Sequence, residues 1–248
     1  MEKNTRMGTN RTGVDMAPML SKEMARGARE LTPAQQADPT AYDSMVQEHV
    51  REAGPLGTVP VPGTVRGALK SLLDKATGHN PEVFINKLGE RLAYERSGVR
   101  FYEAAIRKFE ALRDTEAAGF PIDELRHIRN DEEAHFMMLK EVIAGMGADP
   151  TAQTPDADVA GVAGMGIGKV LHDPRTSMAQ CLEMLLMLEL ADNDEWQMLI
   201  TLAEDMGMDE VAARFGDALQ EEEEHLATVR RLYKDSLIAQ ASKGAVRH

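Results

Sequence analysis

Two short stretches decide how this chain is read: Glu132-Glu133-Ala134-His135 and Glu222-Glu223-Glu224-His225. Each is Glu-x-x-His. In a helix, residues i and i+3 share a face, so each stretch presents a carboxylate beside an imidazole and can clamp one metal ion. A single copy is a weak signal, because acidic helices produce it by chance. Two copies, each preceded by another helix that carries a glutamate on its inner stripe, are far more specific.

Outward from these stretches the sequence resolves into four long helices. The first opens at Asn80-Pro81, a cap residue followed by Pro at the first helical position, and runs to about Ala117 before Gly119. The second starts at Pro121 and reaches about Met146, with Gly147 and Pro150 beyond. The third is expected to start at Asp173-Pro174 and end at Gly207, and the fourth to run from near Asp209 to about Ala241, ahead of Gly244. Short links within each pair predict antiparallel hairpins, while residues 147–172 between the pairs are long enough to cross a bundle. Rich in Gly, Ala and Asp, that link reads as a flexible crossover. Its glycine run does not make a phosphate loop: Ala163 stands where the motif needs Gly, and Val170 where it needs Ser or Thr.

The 3/4-spaced stripe of each helix should face the core. The first two stripes are Leu88, Leu92, Glu95, Val99, Tyr102, Ile106, Phe109 and Leu125, Ile128, Glu132, His135, Leu139, Val142, Met146. The other two are Leu182, Leu185, Glu189, Asp192, Trp196, Leu199, Ala203 and Val211, Phe215, Ala218, Glu222, His225, Val229, Leu232. Apart from mid-length, each is apolar or aromatic. Five carboxylates and two imidazoles therefore converge, with no Lys or Arg on the stripes. Buried carboxylates are costly unless paired or bound to metal. Two divalent cations would roughly offset them, and carboxylate oxygen with imidazole suits iron or manganese, with zinc possible.

The hairpins also repeat one another. Glu95 leads Glu132 by 37 residues, Glu189 leads Glu222 by 33, and seven residues after each leading glutamate stands an aromatic, Tyr102 or Trp196. Glu103 is the alternative to Glu95, but it lies off the stripe and has no aromatic seven residues on.

Composition excludes other classes. Across 248 residues, 28 Lys plus Arg face 41 Asp plus Glu, for a net charge of -13, and Cys181 is the one cysteine. The charge argues against a nucleic-acid binder that works by phosphate neutralisation. One cysteine cannot build a disulfide framework, a four-cysteine zinc site or an iron–sulfur cluster. No apolar run approaches the ~18 residues of a membrane span. No apolar region follows the early positive charges, so a secretory signal is not expected and a cytoplasmic location is.

The first 80 residues hold shorter helical pieces, at about 20–30, 40–51 and 64–75, separated by breakers such as Gly54-Pro55-Leu56-Gly57. The expected division is an N-terminal helical arm over 1–80, the bundle over 81–241, and a tail over 242–248. Cys181 and the methionines read as core filling. Glu221, Glu223 and Glu224 read as a solvated face, and His49, His79, His127, His172 and His248 as surface positions.

Over residues 81–241 this constellation resembles the ferritin-like di-iron carboxylate superfamily, rubrerythrins and bacterioferritins in particular. The resemblance implies an all-α, ferritin-like four-helix bundle. In it, a glutamate from each of two helices and a Glu-x-x-His from each of the other two bind two irons. Glu95 and Glu189 match the lone glutamates; Glu132 with His135, and Glu222 with His225, match the paired units. Asp192 falls where rubrerythrin-like proteins carry an additional carboxylate ligand.

The implied cofactor is two iron ions, with di-manganese as a variant. The implied activity is reaction with dioxygen or hydrogen peroxide, of peroxidase or ferroxidase type. Tyr102 is the candidate catalytic side chain, placed to hydrogen-bond a ligand or pass an electron. There is no rubredoxin-like cysteine pair, so an external electron donor is expected, together with a homo-oligomer, a dimer. The other readings are iron storage of ferritin type, which needs a multi-subunit cage, and a metal-free structural bundle.

Overall fold

Proline opens four of the helices, where its missing N–H breaks no intrahelical bond and its fixed φ suits the first turn. The computed structural model describes residues 18–31, 39–60, 81–115 and 117–245. Among these residues there are seven helices and no strand: α1 Pro18–Leu31, α2 Pro39–Glu52, α3 Pro81–Ala111, α4 Ile122–Gly145, α5 Pro155–His172, α6 Met178–Asp205 and α7 Asp209–Ala245. The expected piece at 64–75 lies outside the described residues.

Residues Asn4–Leu56 form one compact unit and Gly57–His248 the body of another. The first holds α1 and α2; α1 buries none of its residues. The second holds the all-helical bundle. Its α3 packs on α4 and on α6, and α7 packs on α6 and on α4, which closes a four-helix ring. Contacts from Arg91 to Asp192 and from Lys108 to Cys181 run in opposite directions along α3 and α6, so these neighbours are antiparallel.

Three boundaries differ from the sequence reading. α3 ends at Ala111, because Thr115 and Ala117 both donate backbone N–H to the Leu112 carbonyl and close a turn around buried Ala117. α6 starts at Met178, not at Asp173-Pro174. Ser177 and Gln180 form a reciprocal capping box there, while the Asp173 carboxylate takes up Arg175 and its carbonyl accepts from Lys108. Replacing Ser177 by Ala is expected to lower stability by about 1 kcal/mol in a urea titration. α7 continues through Gly244.

The largest difference is the crossover, which is a helix. Thr154 caps α5 and Pro155 opens it. Its glycines bring backbone close rather than loosening it. A Cβ on Gly168 would stand 3.1 Å from the Phe101 ring and one on Gly164 3.6 Å, so α5 lies tight on α3.

The apolar core is in two parts. One gathers Tyr102, Phe109, Leu125, Leu182, Leu185, Val229 and Leu232. The other gathers Phe84, Leu88, Leu139, Val142, Trp196, Leu199 and Phe215. The ionisable residues of the four stripes lie at mid-helix between them.

Candidate metal centre

Every ligand candidate sits where 3/4 spacing puts it, on the inner face of a helix. Glu95 comes from α3, Glu132 and His135 from α4, Glu189 and Asp192 from α6, and Glu222 and His225 from α7; all seven are buried. The structure brings them together. In three overlapping groups the candidate ligand atoms lie within 4.8 Å of one another: Glu95, His135 and Glu222; Glu132, Glu189, Glu222 and His225; and Glu95, Glu132, Asp192 and Glu222. Glu222 belongs to all three. Glu103 is outside them, partly exposed and paired with Arg107 and Arg129.

The imidazoles are held from both sides. Nδ1 of His135 lies 2.8 Å from Glu222 Oε1 and 3.8 Å from Glu95 Oε2, while Nε2 meets Glu221 Oε2 at 2.7 Å. Nδ1 of His225 lies 3.2 Å from Glu222 Oε2 and 4.0 Å from Glu189 Oε2, while Nε2 meets Asp131 Oδ2 at 3.1 Å. When the outer nitrogen donates its proton to a carboxylate, the inner one presents its lone pair to the centre. Glu221 is thus not simply a solvated residue. It and Asp131 each precede one paired glutamate, yet each fastens the histidine of the other hairpin. Exposed His127 stands 3.3 Å from Asp131 Oδ2.

A second correction concerns charge. Arg91, 2% exposed, lies inside the bundle, with Nε 3.0 Å from Glu95 Oε1 and Nη2 2.9 Å from Asp192 Oδ1. It sits beside the stripe residue Leu92, so a narrow stripe passes it over although it is one turn before Glu95. Five carboxylates and one guanidinium leave four negative charges, which two divalent cations match.

The donor set fits such cations in two further respects. Neither oxygen of Glu132 has a hydrogen-bond partner. Gly98 leaves room for Glu132, since a Cβ there would stand 2.0 Å from Oε2. Tyr102, fully buried, donates its hydroxyl to Glu189 Oε1. Trp196, the matching aromatic, stacks edge-on against His135 at 5.5 Å.

Burial and mutual repulsion push the Glu132 carboxyl well above the usual range, and burial with Glu222 nearby pushes Glu189 up to about 8. Against burial, hydrogen bonds from His135 and His225 hold Glu222 down to about 2. Those bonds, again outweighing burial, raise His135 to about 9 and, with Asp131, His225 to about 10.

The raised groups bind protons more tightly folded than unfolded. Their contribution to stability is therefore present below the unfolded values and is lost as pH rises through the folded ones. Chelator-stripped protein should melt progressively lower between about pH 5 and pH 10. Protein reloaded with Mn(II) should vary much less, because cations replace the protons. Melting curves followed by circular dichroism check both.

The family model of the ferritin-like domain matches residues 122–237, from the start of α4 to late in α7, and takes in both Glu-x-x-His stretches. Neither the curated proteins nor the solved structures give a match. Among the described residues, no helix is long and apolar enough to cross a membrane. From the family match, the helical bundle and the carboxylate–histidine layer at its middle, it follows that the chain carries a ferritin-like domain over residues 122–237.

Proposed function

We propose that this chain is a non-haem dinuclear-metal oxidoreductase, with iron as the first choice of metal, that reacts with dioxygen or hydrogen peroxide. The supporting observation is the gathering of four glutamates and two histidines in a layer closed to solvent, their inward atoms within 4.8 Å in overlapping groups. Glu95 and His135 would hold one cation, Glu189 and His225 the other. Glu222, which belongs to all three groups, would serve both, and Glu132 would complete the set. When bound, the two irons supply electrons to the oxidant.

The chain's own residues do the rest. Glu221 and Asp131 fix the histidine tautomers. Tyr102 orients Glu189 by its hydroxyl. The two apolar clusters exclude bulk water from either end of the centre. The one cysteine is buried and unpaired, so electrons come from an external donor.

Metal analysis and stopped-flow absorbance of anaerobically loaded protein, mixed separately with oxygen and peroxide, test this reading. Two irons per chain and a new absorbance with one oxidant are expected. Well under one cation per chain in folded protein would retire it. Tyr102→Phe should still bind two cations but respond to the oxidant about tenfold more slowly, as loss of an orienting hydrogen bond next to a ligand does.

A further inference from the structure

Aligning Glu95 with Glu189 sets Arg91 opposite Leu185 and Gly98 opposite Asp192. Six members of the centre then pair off across the repeat: Glu95 with Glu189, Glu132 with Glu222, His135 with His225. Arg91 and Asp192 are the two that have no like counterpart. The structure joins these odd members to each other, guanidinium to carboxylate at 2.9 Å, both shut off from solvent. The guanidinium also lies 4.0 Å from the Tyr94 ring centroid, which holds it in place from α3 itself.

We propose that Arg91 is a positioning residue that keeps Asp192 out of the cation-holding set. The pair is internal and electrically neutral, and two divalent cations are held by the six paired residues alone, whose four carboxylates match their charge. This rests on the dinuclear reading above and revises the seven-residue ligand set expected from sequence. Arg91 also holds Glu95 Oε1 at 3.0 Å, but Glu95 turns its other oxygen to His135 Nδ1 at 3.8 Å, whereas the one group that contains Asp192 has no imidazole. A carboxylate engaged by a buried guanidinium and backed by no imidazole is a poor donor to a cation, which would have to approach a like charge at low dielectric. Removing Arg91 leaves Asp192 buried and uncompensated, so a cation then becomes its natural partner.

Calorimetric titration of the stripped protein with Mn(II), with bound Mn(II) counted by electron paramagnetic resonance, tests the inference. Asp192→Asn keeps an oxygen for Arg91 and should bind two Mn(II), neither constant changed more than about threefold. Arg91→Met should bind one of the two about tenfold more tightly, and adding Asp192→Asn to it should return that constant to the parent value. A purely structural role for Arg91 would not produce a gain that the second change cancels.

Loss of one Mn(II) in Asp192→Asn, or weaker binding in folded Arg91→Met, overturns the inference. Should Arg91→Met fail to fold, Asp192→Asn alone decides. A parent that takes up no Mn(II) ends the dinuclear reading itself. A parent that takes up two while Asp192→Asn takes up one ends only this inference.

Discussion

Gly98→Ala should leave the bundle standing and remove its capacity for metal. Gly98 has no positive φ, so it is not there for backbone freedom. It is there for space: an added Cβ would meet Glu132 Oε2 at 2.0 Å and Cδ at 2.8 Å. One of the two must give, and the movable one is the end of the Glu132 side chain. Its carboxylate then turns away from Glu95, Glu189 and Glu222, with which it shares the centre. Alanine is about 1 kcal/mol better than glycine within a helix, so the metal-free protein should melt close to the parent. Mn(II) affinity should fall by about 100-fold or more, the upper range for disturbing a metal's immediate surroundings. Calorimetry beside a melting curve separates the effects, and parent-like uptake of two Mn(II) would show that Glu132 is not needed where it stands.

Glu222→Gln should be nearly as damaging, for a different reason. Glu222 touches Nδ1 of both histidines and belongs to every ligand group. The amide keeps the shape but loses the charge and one acceptor. Uptake should drop to one Mn(II) per chain or none. The pull that raises His135 and His225 also goes, so the alkaline loss of stability in the stripped protein should move to lower pH. Glu221→Gln is the control. It touches only the outer nitrogen of His135, and should keep two Mn(II) with about tenfold weaker binding. Equal behaviour of the two variants would place Glu222 outside the centre.

The parts of the fold legible in the sequence were those with a periodic signature. Stripes of Leu, Val and Phe at 3/4 spacing placed Glu95, Glu132, Glu189 and Glu222 on one level, and Gly147 and Gly207 marked helix ends by their positive φ. What escaped lacked that signature. α5 is too rich in glycine for a propensity reading, and only Thr154-Pro155 announced its start. Arg91 sits one residue beside the stripe, and a narrow face hides it where four helices meet and the buried sector widens. Asp131 and Glu221 look like surface acids along their own helices, and their partners belong to the opposite hairpin. Gly98 carried a signal, a smallest residue three after a ligand candidate, but the reason for it was the Glu132 side chain on another helix.

The close seat of α5 on α3 bears on the order in which the bundle assembles. A slack link between two hairpins would leave the second one to search a large volume, at an entropic cost that rises with the logarithm of link length. Here the link is a helix, capped by Thr154 and lodged against Phe101, and it delivers the chain to the start of α6 beside Lys108. The α3–α4 hairpin with α5 can therefore form a platform as soon as those residues leave the ribosome. It already displays Glu95 and Glu132, two of the four glutamates of the centre, when the second hairpin arrives.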